Sequence, residues 1–336
     1  MPKLGLGINV ANSSASGSAG GQITTLYSDS LIAWPNTGAT FIDRQIFSSG
    51  LSGNVVYGGG VFKQITGASG RHALVYFDCD KELYPVYNFG ESYVVDSQVY
   101  GGSYGHAIFE KTGLGGGTGA PLFLGTTPGT QDPNGWTRIH PTLTPLEIGQ
   151  AVVASFGFKA LSPGTGLTTA NSLRFAILDS SIPTDPKYVN ADDQGLANAI
   201  FGGNGGSPGY RGYMSTISST VNASTNKVLT RTTTTSTSLV NSITGVYTQV
   251  ANQLASGLVH DILYAVSLKV QRTAVNTIVY TWNMTGGSLT GGLLSYTDNS
   301  PSTFVFDTLA FDVIANACSA FEVSNVKVVR GPSSLV

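Results

Sequence analysis

Charge is what this sequence has least of. Asp, Glu, Lys and Arg make up 11% of its 336 residues, less than half of the roughly 25% of an average soluble domain. Helices usually cover their solvent faces with Lys, Glu and Arg, so a largely helical surface is excluded. Net charge is −2, and Arg71–His72 is a pair, not a basic patch. That excludes nucleic acid as the main partner, because phosphate binding concentrates Lys and Arg. No apolar run approaches the roughly 20 residues of a membrane helix, so no membrane partner is expected. The opening Met1–Val10 carries Lys3 but no apolar core of signal-peptide length, which leads to the expectation of a chain made in a host cytoplasm.

Cysteine is equally scarce. Cys79 and Cys318 lie far apart, each within a strand-like stretch. Two core thiols are expected rather than a disulfide, and the pair alone cannot ligate a metal. His72, His106, His140 and His260 are scattered, with no His-x-x-His or His-Glu-x-x-His spacing for zinc. There is no Gly-x-Ser-x-Gly elbow for an activated serine. The loop Gly113–Gly119 lacks the Lys-Ser/Thr of a phosphate cradle. Asp78 and Asp80 with Glu82 read as a strand-end turn or a weak calcium site, Asp192–Asp193 as a solvated turn, and Asp179 and Asp312 as polar strand ends. The expectation is a non-enzyme with no cofactor and no metal.

What is abundant is Gly, 43 residues of it, with Ser and Thr, separating short alternating segments. The clearest is Phe304–Val329. Phe304 and Phe306 alternate, then Leu309, Phe311 and Val313. Phe321 and Val323 share one face before the phase shifts to Val326 and Val328, predicting a bulge near Ser324–Asn325. Ile262, Tyr264, Val266, Leu268 and Val270 alternate without error, and Ile278, Tyr280 and Trp282 follow. Val55–Tyr57, Ala73–Phe77 and Ser92–Asp96 are further strand candidates. Many short strands, Gly-rich turns and almost no helix mean an all-β, antiparallel β-sandwich. Three parts are expected: an N-terminal arm and flexible linker over 1–21, a β-rich module or first strands of the sandwich over 22–140, and the jelly roll proper over 141–331.

Part of that chain is similar to a known family. Leu146–Gln150 leads into a strand ending Phe156-Gly-Phe158, and Ser172–Ser180, Tyr264–Arg272, Phe304–Phe311 and Phe321–Lys327 follow in order. This series resembles the concanavalin A-like, laminin-G-type jelly roll. Some glycosidases of that fold carry a Glu-x-Asp-x-x-Glu strand, a triplet this sequence lacks. The start Pro2–Gly7 looks like those of tailed-phage virion proteins, whose arm anchors a β domain to the particle.

The resemblance implies a non-enzymatic virion structural protein: a capsid decoration, head-fibre or tail-associated subunit located in the virion. Its partners would be other virion proteins and copies of itself. The arm residues Leu4, Leu6, Ile8 and Val10 alternate as a strand would and are the expected assembly element. The alternative is a carbohydrate-binding module for host or environmental glycans. Sugar faces stack on aromatic rings, and Tyr210, Arg211 and Tyr213, in an irregular loop, with Trp136 are the candidate contacts.

Overall fold

A computed structural model describes residues 22–29, 46–48, 55–58, 61–65, 71–77, 85, 88, 91–100, 108–113, 135–139, 145–162, 172–182, 185–189, 210–217, 226–231, 244–255, 257–313 and 317–336. The arm residues Leu4, Leu6, Ile8 and Val10, and also Cys79 and Asp192–Asp193, lie outside them.

Every regular element among the described residues is a strand. The first eight are β1 (Thr24–Asp29), β2 (Ile46–Ser48), β3 (Val55–Gly58), β4 (Val61–Ile65), β5 (Arg71–Tyr76), β6 (Gln98–Tyr100), β7 (Ile108–Lys111) and β8 (Trp136–Ile139). Then come β9 (Gln150–Leu161), β10 (Leu173–Asp179), β11 (Ser181–Ile182), β12 (Asp185–Val189), β13 (Arg211–Ile217) and β14 (Asn226–Arg231). The last are β15 (Tyr247–Gln253), β16 (Tyr264–Ala274), β17 (Thr277–Thr285), β18 (Leu293–Asp298), β19 (Thr308–Val313) and β20 (Ala320–Pro332).

They form three sheets. The larger runs β18-β17-β16-β9-β20-β4-β3, with β1 also on β20; the second runs β15-β14-β13-β10-β19-β5-β2; a small third runs β11-β12-β8-β7-β6. All pairings are antiparallel. This is the all-β antiparallel sandwich that the alternation predicts. Strands before residue 141 belong to both main sheets: β1, β3 and β4 to the larger, β2 and β5 to the second. Only β6, β7 and β8 of that stretch form the third sheet with β11 and β12.

The core lies between the two main sheets. The larger sheet contributes Phe156 and Phe158 from β9, Leu268 from β16, Tyr280 and Trp282 from β17, and Phe321 and Val328 from β20. Phe175 and Ile177 of β10, Tyr213 of β13, and Leu309 and Phe311 of β19 meet them from the second. Phe175 meets Phe156 and Phe158 edge-on at 5.4 and 5.1 Å, and Phe311 meets Phe156 at 4.9 Å. Cys318 is buried in this core.

The phase shift in β20 is where the sequence puts it. Its register against β9 slips between Ser324 and Lys327, and Asn325 has φ +50°. Two segments depart from expectation: Phe304–Asp307 forms no strand, β19 beginning only at Thr308, and the other lies earlier in the chain. Ser92–Asp96 forms no strand; it ends in a turn with Asp96 at φ +70°, a left-handed conformation that breaks strand pairing. Val94 at its tip is 74% exposed, so the β-branched pair carries no core face.

Because Phe175 is the ring both sheets close on, Phe175→Ala is expected to cost about 3–5 kcal/mol. Urea unfolding of the variant against the parent chain measures it, and a cost below about 1 kcal/mol would contradict this packing.

Candidate functional site

The middle strands of the second sheet, β10, β13 and β19, are buried on both faces. Every residue of β10 and of β19 is buried, and so is every residue of β13 after Arg211. One face is the core; the other carries Arg174, Ala176, Met214, Leu229, Ala310 and Asp312. An apolar sheet tolerates charge there only in pairs. Arg174 Nη1 donates to Asp312 Oδ2 at 2.7 Å across the β10–β19 register, and the Arg231 guanidinium lies 5.6 Å from the Tyr247 ring centre.

A polar cluster closes the end of this sheet. Asp179, last in β10, is fully buried. Its Oδ2 accepts from Arg211 Nη2 and from Thr303 Oγ1, each at 2.5 Å. Its Oδ1 accepts from the Ser181 N–H at 2.8 Å and the Ser181 hydroxyl at 2.6 Å. Asp307 is buried beside it and accepts from the Ser180 N–H at 2.8 Å, the Ser180 hydroxyl and the Thr308 hydroxyl. Burial first, and the charge of Asp307 second, raise the Asp179 carboxyl above its ordinary value, against Arg211, Ser181 and Thr303. With four donors on one carboxylate and no solvent contact, the cluster ties β10, β13 and the segment entering β19 together.

Of the four predicted sugar contacts, the three rings are buried and Arg211 is half-buried. Tyr210 is 0%, Trp136 1% and Tyr213 3% exposed. Tyr213 stacks on Tyr280 at 5.1 Å and donates to Asp298 at 2.9 Å. Burial, then the charge of Asp298, pushes its hydroxyl far above the tyrosine range. Trp136 lies under Lys111 at 5.2 Å and against Tyr93 at 5.2 Å. Arg211 is engaged by Asp179 and Ser181. In the folded chain none of the three rings presents a face to solvent. The Gly-rich run before Tyr210 reads as an exposed loop, but Tyr210 and Tyr213 lead into and sit within a strand buried on both sides. The structure brings Arg211 and Tyr213 onto one strand and leaves Trp136 in the third sheet.

The open surface is the outer face of the larger sheet. Opposite the core positions of β9, β16, β17 and β18, the register sets Ser155 beside Ser267 and Ser267 beside Asn283. A second row sets Lys269 beside Thr281 and Thr281 beside Ser295, whose hydroxyls are 2.9 Å apart. Thr285 and Thr297 extend the face. These side chains are half-buried or exposed. Lys159 is paired with Glu322 at 2.8 Å, and Lys269 donates to the Ser333 and Val336 carbonyls. The face therefore sets hydroxyls and amides among a few apolar side chains, Ala265, Val279 and Leu293, with little free charge. The alternation names these residues as outward-facing, but it cannot say which sheet keeps an open face.

No group of three or more His, Cys, Asp or Glu residues that could hold a metal occurs among the described residues. Nor is any helix among them long and apolar enough to cross a membrane.

No protein-family model matches the sequence, and no curated protein matches it. Among solved structures, the metal-free carbohydrate recognition domain of Emp46p is 9% identical with a TM-score of 0.39, over 90% of this chain and 95% of that one. Peanut lectin with a bound 9-residue peptide is 8% identical with a TM-score of 0.39, over 93% and 98%. The PL-14 alginate lyase from Aplysia kurodai is 7% identical with a TM-score of 0.38, over 91% and 98%.

The buried cluster generates a pH-dependent prediction. A carboxyl whose folded pKa is raised binds its proton more tightly folded than unfolded, so its contribution to stability falls as pH rises above the ordinary 3.8. Arg211→Ala removes a lowering influence and should widen that window. The variant is expected to lose about 3–5 kcal/mol at neutral pH and less in mild acid. Thermal unfolding of both chains across pH checks this; an equal loss at every pH would contradict it.

Proposed function

We propose that this chain is a non-catalytic carbohydrate-binding β-sandwich that recognises neutral, extended glycan surfaces through the outer face of its larger sheet. The observation that carries the reading is that face's chemistry. Ser155, Ser267 and Asn283 stand in one cross-strand row and Thr281 and Ser295 in another, with Thr285 and Thr297 on the same face, and they supply both donors and acceptors. Strand spacing repeats them about every 4.8 Å across the sheet. Sugar hydroxyls demand such two-way hydrogen bonding and gain nothing from isolated charge. With Tyr210, Tyr213 and Trp136 buried, contact on this face is by hydrogen bonds, not ring stacking.

The narrower reading, a virion subunit anchored by Leu4, Leu6, Ile8 and Val10, draws on residues outside those described. Deleting residues 1–21 tests it separately: particle incorporation should be lost while the body stays folded, and retained incorporation would count against the arm.

The glycan reading is tested by pull-down on a panel of insoluble neutral polysaccharides, with Ser267→Ala, Thr281→Ala and Asn283→Ala singly and combined. A lost hydrogen bond is worth about 0.5–1.5 kcal/mol, so each single variant should bind about two- to tenfold more weakly. The triple variant should no longer be retained. Absence of binding across the panel, or full binding by the triple variant, would refute the proposal.

A further inference from the structure

The outer face of the larger sheet is closed at one end. On β9 the core positions are Val152, Ala154, Phe156 and Phe158, so Ala151 and Val153 point outward, where alternation would expose them. Yet Ala151 is 0% and Val153 9% exposed. Their cross-strand neighbours on β20 are Gly331 and Val329, and on β16 Val153 stands beside Lys269. An apolar strip of Ala151, Val153, Val329 and Gly331 therefore adjoins the row Lys269, Thr281 and Ser295, and it is covered where Ala151 and Val153 lie.

The four residues after β20 supply the cover. Ser333–Val336 turns back over the sheet: the Ser333 N–H donates to the Gly149 carbonyl at 2.8 Å and the Leu335 N–H to the Pro332 carbonyl at 2.9 Å. Val336 rests over Gly331, where a Cβ would sit 3.4 Å from its Cγ1; glycine leaves the room that this crossing needs. Lys269 Nζ donates to the Ser333 carbonyl at 2.8 Å and to the Val336 carbonyl at 2.6 Å. To reach them from β16 its stem spans β9, passing over Val153. Burial holds this ammonium below the ordinary lysine value. Ser334 and Leu335 are exposed, so the segment is an outermost layer.

We infer, on the glycan reading above, that Ser333–Val336 is a strap, latched by Lys269, that closes one end of the glycan-binding face and lengthens that face when it lifts. Closed, the row of hydrogen-bonding side chains ends at Lys269, whose donors are taken by the strap. Open, β9 and β20 extend it by about 10 Å at the strand spacing. The added ground is apolar and suits the C–H faces of sugar rings, and the freed ammonium has three donors for sugar oxygens. The strap is held by Lys269, by turn bonds and by Val336 on Gly331, beyond the last strand. A ligand that binds only the open state therefore shifts it off its seat.

Amide hydrogen exchange and polysaccharide pull-down test this together. In the full chain the Leu335 N–H should be protected. Lys269→Met keeps the stem and removes the donors, and it should speed that exchange about tenfold, the loss of bonds from a charged donor. A chain ending at Pro332 keeps β20 and its pairings, and unchanged thermal unfolding verifies its fold. On the neutral polysaccharide panel it should be retained about two- to tenfold more tightly than the full chain, the gain of one further hydrogen bond. Equal exchange in the parent and in Lys269→Met overturns the inference. Equal or weaker retention of the shortened chain, with the full chain bound, overturns it too and leaves the glycan reading standing. Retention of neither chain refutes the glycan reading itself, and the strap's role with it.

Discussion

The separation of the two main sheets is the constraint on which everything else hangs, and phenylalanines set it. Phe156 and Phe158 reach from β9, and Phe175 and Phe311 from β10 and β19, meeting edge-on near the middle of the sandwich. Edge-to-face rings lock spacing and lateral offset together, because each contact has a preferred centroid distance and angle. Once β9 and β10 are fixed in this way, β16 and β20 must flank β9, and β13 and β19 must flank β10. Their polar partners are then brought within bonding reach. The Tyr280–Ser215 hydroxyl contact at 2.8 Å spans the same gap and requires the same sheet spacing.

Burial of β10, β13 and β19 on both sides divides the labour between the sheets. A strand buried on both faces can hold charge only if the charge is answered, and β10 answers both of its charges: Arg174 with Asp312, and Asp179 with Arg211. The larger sheet has no such requirement on its outer side and keeps small polar groups there. Edge protection also comes from the opposing sheet. Asn226 and Gln253 donate side-chain amides to the Gly291 carbonyl, and Gln253 to Leu293, along the entry to β18. A strand entry capped in this way is a poor template for uncontrolled pairing.

Much of the fold was legible because period-two alternation is a direct readout of strand geometry. β16 and β17 were plain from Tyr264–Val270 and Ile278–Trp282, and even the slip in β20 followed from Val323 and Val326 being out of phase. Alternation assigns side chains to faces; it does not say whether a face meets water. That is why Tyr210 and Tyr213, beside a Gly-rich run, belong to the interior, while the Ser and Thr rows carry no sequence signal that marks their face as open. Ser92–Asp96 failed for a local reason: two valines suggest a strand, but the left-handed backbone at Asp96 makes a turn. The ties among Asp179, Asp307 and Arg211 were invisible because their partners are more than 30 and 120 residues apart.

The left-handed residue in β20 has a consequence for how the chain can vary. Before Asn325, β20 pairs with β4 on its outer side; after it, with β1 on that same side. One strand therefore serves two neighbours in succession, and the single extra residue returns the core phase at the handover. Were Asn325 extended like its neighbours, the strand would be regular and Val326 and Val328 would turn outward. The left-handed backbone at Asn325 is thus the feature of β20 that can least be straightened, while the regular positions around it are free to exchange one apolar side chain for another.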